Sequence, residues 1–308
     1  MSERPSVCRL PDGRLHLSHG PIDLVIEAFG RKDAVRAAYA GAIDRFETIL
    51  DELCEELPLI RTPADRLARV PEGVVARRMV AAVAPYCRNM FITPMAAVAG
   101  AVADEILEAM TAVATLDRAY VNNGGDIALA LGPHAEFSVG IVDRPDRPSL
   151  VGTAQVTGGS PVRGVATSGW RGRSFSLGIA DAVTVLANSS AAADAAATVV
   201  ANAVDLPGHP LVERVPAVEL QPDSDLGDRL VTVAVGTLSS DDIELALATG
   251  RKAADLLVRE CRIEAAALFL AGFGRVVGEL PIAGAMSVAF IPQSESERRP
   301  VYARHYLT

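Results

Sequence analysis

The 308-residue chain sets 29 Lys and Arg against 38 Asp and Glu, a formal net charge of −9. So acidic a chain lacks the basic surface that makes duplex nucleic acid a partner. Half of the residues are hydrophobic and 22% charged, while aromatics supply only 5%, so the core is built from Ala, Val, Leu and Ile, and disorder is excluded.

The mean hydropathy is +0.25, yet the apolar stretches at 89–103 and 265–274 fall short of the roughly 20 residues that cross a membrane. Residues 1–20 carry Glu3, Arg4, Arg9, Asp12 and Arg14 without an apolar run. No secretory signal is read there, so a cytoplasmic location and no membrane partner are expected. Cys8, Cys54, Cys87 and Cys261 form no C-x-x-C pair and are expected to be reduced thiols, mostly buried.

In chain order, His16 and the run 22–29 (IDLVIEAF) read as strand, ended by Gly30. Over 32–57, Val35, Tyr39, Ala42, Phe46, Ile49, Leu53 and Leu57 recur at three- and four-residue steps, which predicts an amphipathic helix stopped by Pro58. Its acids, Asp44 to Glu56, read as a solvated face. Residues 96–113 form a second, buried helix. From 118 to 187 the segments RAYVNN, DIALAL, EFSVGIVD, LVGTAQV, VRGVAT and AVTVLA predict a largely antiparallel meander. A helix at 191–203, a strand at 230–235, a helix at 241–259 and apolar runs at 263–270 and 285–291 follow. The expected fold is a single α+β domain, a mostly antiparallel sheet packed with helices. Its motif-bearing core spans about 90–205, with a completion at 206–292 and a polar tail at 293–308 containing Arg298, Arg299 and Arg304.

Three segments carry possible chemistry. Asn123-Gly124-Gly125-Asp126 joins two strand-like runs; paired glycines let backbone approach a ligand, although Asn-Gly is also the commonest hairpin signal. Thr167-Ser168-Gly169-Trp170-Arg171, with Arg173, offers hydroxyls, guanidinium groups and the only Trp, suited to a diphosphate and a flat ring or simply to a glycine-rich turn. Asp194 and Thr198 share one helical face and are hard ligands suited to Mg²⁺, while Asp194 alone also reads as a helix cap. Asp181, just before a strand, is the candidate catalytic carboxylate. His16, His19, His134, His209 and His305 are scattered and assemble no triad or metal cluster by spacing, and His134 and His209 are assigned to surface loops.

Taken in order, Asn122 to Ile127, Ala166 to Gly169, Val183 to Ala187 and Ala193 to Thr198 resemble the ApbE-like flavin transferase superfamily, and most nearly an uncharacterised branch of it. Gly100 to Ala103 resembles another of its segments. The resemblance implies a T-fold type of α+β fold, FAD or FMN in a cleft, Mg²⁺ held by Asp194, Thr198 and a backbone carbonyl near Ala103, and an acceptor protein. It places Asn123 to Asp126 at the nucleotide and Thr167 to Gly169 at the flavin or phosphates. Two departures stand out: the family's His is replaced within Ser174 to Asp181, and its Lys-Gly by Asp104-Glu105. The expected ligand is a small nucleotide or planar heterocycle, with a pterin or purine, or a non-catalytic binding protein, as alternatives and a homo-oligomer as a possible assembly.

Overall fold

The computed structural model describes residues 4–279. The apolar run 285–291, the tail arginines and His305 lie outside the described residues. The strands are β1 (Ser6–Arg9), β2 (Leu15–His19), β3 (Ile22–Phe29), β4 (Arg118–Asn123), β5 (Asp126–Leu131), β6 (Glu136–Val142), β7 (Leu150–Thr157), β8 (Gly164–Ser168), β9 (Ala182–Ala187), β10 (Val212–Pro216), β11 (Leu230–Val235), β12 (Ala265–Leu270) and β13 (Phe273–Gly278). The helices are α1 (Lys32–Glu55), α2 (Leu57–Ile60), α3 (Val74–Val83), α4 (Val98–Val113), α5 (Ser190–Ala203), α6 (Ala217–Leu220) and α7 (Ser240–Arg259).

A nine-stranded sheet runs β1-β2-β3-β4-β5-β8-β9-β12-β13, antiparallel at every pairing. The meander is interrupted once, where β6 and β7 leave it as a separate two-stranded ribbon. Alternation along each strand assigns its two faces. Leu15, Leu17, Leu24, Ile26, Val121 and Ala128 turn toward α1 and α4, and Ala166, Val183, Val185 and Leu268 toward α5 and α7. The opposite face, with Tyr120, Leu129, Val165, Leu186 and Phe269, is covered by Val139, Ile141, Ala154 and Val156 of the ribbon. The chain is thus an α+β protein with a large antiparallel sheet. Among the described residues, no helix is long and apolar enough to cross a membrane.

Small residues set how closely these layers approach. Gly100 in α4 faces the start of α5, where an added Cβ would stand 2.3 Å from the Ser190 carbonyl oxygen. Only glycine allows that crossing. Helix α5 buries Ala193, Ala195, Ala196, Ala197 and Ala201 between the sheet and the neighbouring helices, so much of the Ala- and Gly-rich composition serves close helix packing.

Several expectations are corrected. The long helix does end ahead of Pro58, at Glu55, but Pro58 then sits in the first turn of the short α2. Glu56 is buried rather than solvated, because its carboxylate accepts the Glu72 and Gly73 amides at 2.8 Å each, just before α3. Helix α3, absent from the sequence reading, buries Val75, Ala76, Met79 and Val83 at helical spacing. The cysteines are all free, but Cys8, Cys54 and Cys261 are exposed and Cys87 half-buried. They occupy an edge strand, the last turn of α1 and the turn after α7, where no layer covers them. His16 lies in β2, as expected, and His19 ends the same strand.

Candidate functional site

The β4–β5 connection is built by sequence chemistry. Asn123 and Asp126 are register partners, leaving Gly124 and Gly125 as a two-residue turn with φ of +66° and +119°. Side chains other than glycine resist such a turn. Asn122 Oδ1 accepts the Gly125 amide at 2.8 Å and so fixes the turn from one side of the sheet. On the other side, the buried Asn123 donates through Nδ2 to the Ala99 carbonyl at 3.1 Å, tying the turn to the start of α4.

Asp126 and Asp194 meet at this junction. Asp126 accepts the Thr167 amide at 3.3 Å, and Asp194 accepts the Gly100 amide through Oδ2 at 3.0 Å. Each retains some solvent access amid buried neighbours. Burial among apolar neighbours is the main cause that pushes the Asp126 carboxyl up to about 7, opposed only by the Thr167 N–H. Burial also pushes Asp194 well above the carboxylate range, and the nearby charge of Asp126 pushes it further. Two carboxyl groups that, among the described residues, contact amides but no cation are a site that resists full ionisation.

The remaining sequence-predicted residues divide. Thr198, one turn after Asp194, is also part-exposed on α5. Strand register puts Ser168 on the Asp126 side of the sheet and Thr167 on the other, where its hydroxyl bonds Thr184 Oγ1 at 2.8 Å; Thr167 therefore contributes its amide. Gly169 allows a close crossing, because a Cβ there would lie 2.6 Å from the Asp181 carbonyl oxygen. The exposed Arg173 reaches the turn, with Nη1 3.3 Å from where a Gly124 Cβ would be.

Asp181, Arg171, Trp170 and Ala103 fall elsewhere. Asp181 is buried, with Oδ1 accepting Arg171 Nε at 2.5 Å and Oδ2 the Ala271 amide at 2.6 Å. With both oxygens engaged it anchors Arg171 and the turn at Ala271. Arg171, committed to Asp181, also lies over the Trp170 indole at 4.2 Å, so neither is a free phosphate or ring contact. Ala103 is fully buried on the second turn of α4 within an apolar cluster, and the carbonyl at the junction is that of Ala99.

Sequence reasoning missed Asp104. Its carboxylate accepts the Ser190 and Ala191 amides at 3.0 and 2.9 Å and so caps α5, and burial raises it above its ordinary range despite those bonds. The signal was the acid standing where a cation was expected. An open groove of about 400 Å³ lies behind it between α4 and β5, lined by Arg78, Leu107, Leu129, Arg163 and Ser189 among others. None of the sequence-predicted residues lines that groove, and the buried carboxylates make the Asp126–Asp194 junction the stronger candidate. No group of three or more His, Cys, Asp or Glu side chains placed to hold a metal occurs among the described residues.

The family model described as AbpE bacteria matches residues 7–280. A UPF0280 protein of Methanothrix thermoacetophila is 41% identical over 127 residues, 37% of this chain and 46% of that protein. One from Methanopyrus kandleri is 36% identical over 186 residues, 58% of this chain and 69% of the relative. One from Methanothermobacter thermautotrophicus is 38% identical over 142 residues, 45% of this chain and 52% of the relative. The chain thus spans about half the length of most of these relatives. These matches correct the resemblance to ApbE-like flavin transferases: the relatives are UPF0280 proteins, a distinct family, and the shared Asn-x-Gly-Gly-Asp and Ala-Thr-Ser-Gly segments are too short to override matches of this length.

Proposed function

From the premise that the chain belongs to the AbpE bacteria family, we propose that the junction of the β4–β5 turn, α4 and α5 binds Mg²⁺ and, with it, a small phosphate-bearing ligand of nucleotide type, FAD or FMN being the candidates. The observation that carries this reading is the pair Asp126 and Asp194, two raised carboxyl groups near enough for the charge of one to act on the other, with no cation bonded to either among the described residues. Structural ion sites in proteins are paired; a pair of acids left unpaired points to a positive ligand.

The donor set suits Mg²⁺. Two carboxylates and the Thr198 hydroxyl are hard oxygen ligands, and Mg²⁺ ordinarily keeps waters and takes phosphate oxygens for the remainder. When bound, the ion supplies the positive charge that offsets both acids and the phosphates. The chain's own residues do the rest. Gly125 leaves room above the turn for a bulky anion, Arg173 stands over Gly124, and Asn123 keeps the turn fixed on α4. These groups bind and orient, so the reading is binding and not turnover.

Calorimetry of Mg²⁺ alone, then of FAD and FMN with and without Mg²⁺, tests it. Saturable flavin-nucleotide binding that needs Mg²⁺ and is lost in Asp194→Asn is expected. Absence of Mg²⁺ binding, or nucleotide binding indifferent to it, would refute the proposal. A parallel panel of pterins and purine nucleotides reports whether the ring or the phosphates select the ligand.

A further inference from the structure

Spacing along the chain separates Cys8, His16 and Asp23, but antiparallel pairing brings them onto one face of the sheet edge. Cys8 is the register partner of His16 across β1 and β2, and His16 Nε2 lies 2.6 Å from Asp23 Oδ1 on β3. Directly opposed residues have Cβ atoms about 5 Å apart. A carboxylate only accepts, so Nε2 carries the proton it gives to Asp23, and Nδ1 is left as a base. The thiol now donates to its neighbour's carbonyl, Arg9 O, at 3.5 Å, so the proposed reaction requires it to leave that bond for its register partner His16. The cysteine is exposed on an edge strand, and the His16 and Asp23 side chains keep 26% and 51% of their surface open, so a small reagent needs no opening of the fold.

We propose that Cys8 is a thiol–disulfide exchange site activated by His16 and oriented by Asp23, taking a low-molecular-weight disulfide as its partner. His16 Nδ1 accepts the thiol proton. The Cys8 sulfur attacks one sulfur of the disulfide, a new S–S bond forms to that half, and the original S–S bond breaks. The other half leaves as thiolate and takes the proton back from His16. The Cys8 sulfur passes from thiol to disulfide level as the released half passes from disulfide to thiol, so the number of S–S bonds is unchanged and no outside oxidant is needed.

Cys54 and Cys261 are exposed thiols without this arrangement. The first stands before Glu55 and Glu56 at the end of α1, the second between Glu260 and Arg262. They are internal references. The reduced full-length protein is incubated with glutathione disulfide, and the occupancy of each cysteine is followed by peptide mass spectrometry. Cys8 is expected to react at least about tenfold faster than either reference. His16→Gln should bring it to their rate, and Asp23→Asn should slow it part of the way, with Cys54 and Cys261 unchanged. Equal rates for the three thiols in the unaltered protein overturn the proposal without any variant, as does a Cys8 rate that survives His16→Gln.

Discussion

Asp104 on α4 and Asp194 on α5 cap one another's helices. Asp104 accepts the Ser190 and Ala191 amides at the start of α5, and Asp194 accepts the Gly100 amide near the start of α4. Each carboxylate satisfies amides that a helix start leaves without partners. The exchange holds the two helices at one crossing and fixes Asp194 beside Asp126. Reading Asp194 as a cap was right in kind but wrong in address, because the helix it caps is not its own.

Gly100→Ala should disrupt this crossing. Its Cβ would press on the backbone of Ser190 and Ala191, at 2.3 to 2.7 Å, where no flexible side chain can yield. A loss of about 3 kcal/mol in urea unfolding is expected. Gly125→Ala meets nothing within 4 Å and carries only the strain of φ +119°, about 1 to 2 kcal/mol. Equal losses for the two would show that the crossing is not tight.

The two aspartates should respond oppositely. Asp104→Ala removes a cap and is expected to cost about 1 to 2 kcal/mol. Asp194→Asn keeps an oxygen for the Gly100 amide while removing a charge that burial and Asp126 both oppose. At pH 8 without metal it should raise stability by about 1 kcal/mol while abolishing the response to Mg²⁺. Loss of stability in both variants, measured by thermal unfolding, would mean that Asp194 is a cap and nothing more.

The pH dependence follows from Asp126. Its carboxyl titrates near 7 in the folded chain against 3.8 ordinarily, so the fold holds the proton more tightly than the unfolded chain does. That contribution is complete below about pH 4 and is lost as pH rises through 7. Thermal midpoints without metal should therefore decline over this window from this group. Mg²⁺ should restore them at pH 8 and do nothing at pH 4, and its binding should release protons. A midpoint that Mg²⁺ leaves unmoved at pH 8 would contradict the site.

Most of the fold was legible because the strands carry their burial in alternation and α1 and α7 carry theirs at helical spacing. Helix α3 was not, since its buried face rests on only Val75, Ala76, Met79 and Val83 in a ten-residue segment. The candidate site was legible in part. Gly124, Gly125, Asp126 and Asp194, which make up the proposed site, stand out by residue type, whereas Asp181 and Arg171 are ambiguous because a buried ion pair and a reactive pair contain the same residues. What separates them is burial and partners 10 residues apart or more, as with Ala271 and Asp181. The Cys8–His16–Asp23 arrangement was illegible for a related reason: its spacing is set by hairpin register, not by a motif.

Two arginines of one loop should differ most plainly. Arg171 bonds the buried Asp181 at 2.5 Å and stacks on Trp170, so Arg171→Ala leaves a buried carboxylate short of its cation. A loss of about 3 kcal/mol is expected, with whatever weakening of ligand binding follows from a displaced loop. Arg173 is exposed and faces the Gly124 turn, and Arg173→Ala should leave stability within about 0.5 kcal/mol. Its effect should fall on affinity for a phosphate-bearing ligand, about tenfold for one charge-assisted contact. Binding by Arg173→Ala at unchanged affinity, with the fold intact, would remove Arg173 from the site and leave the aspartates to define it.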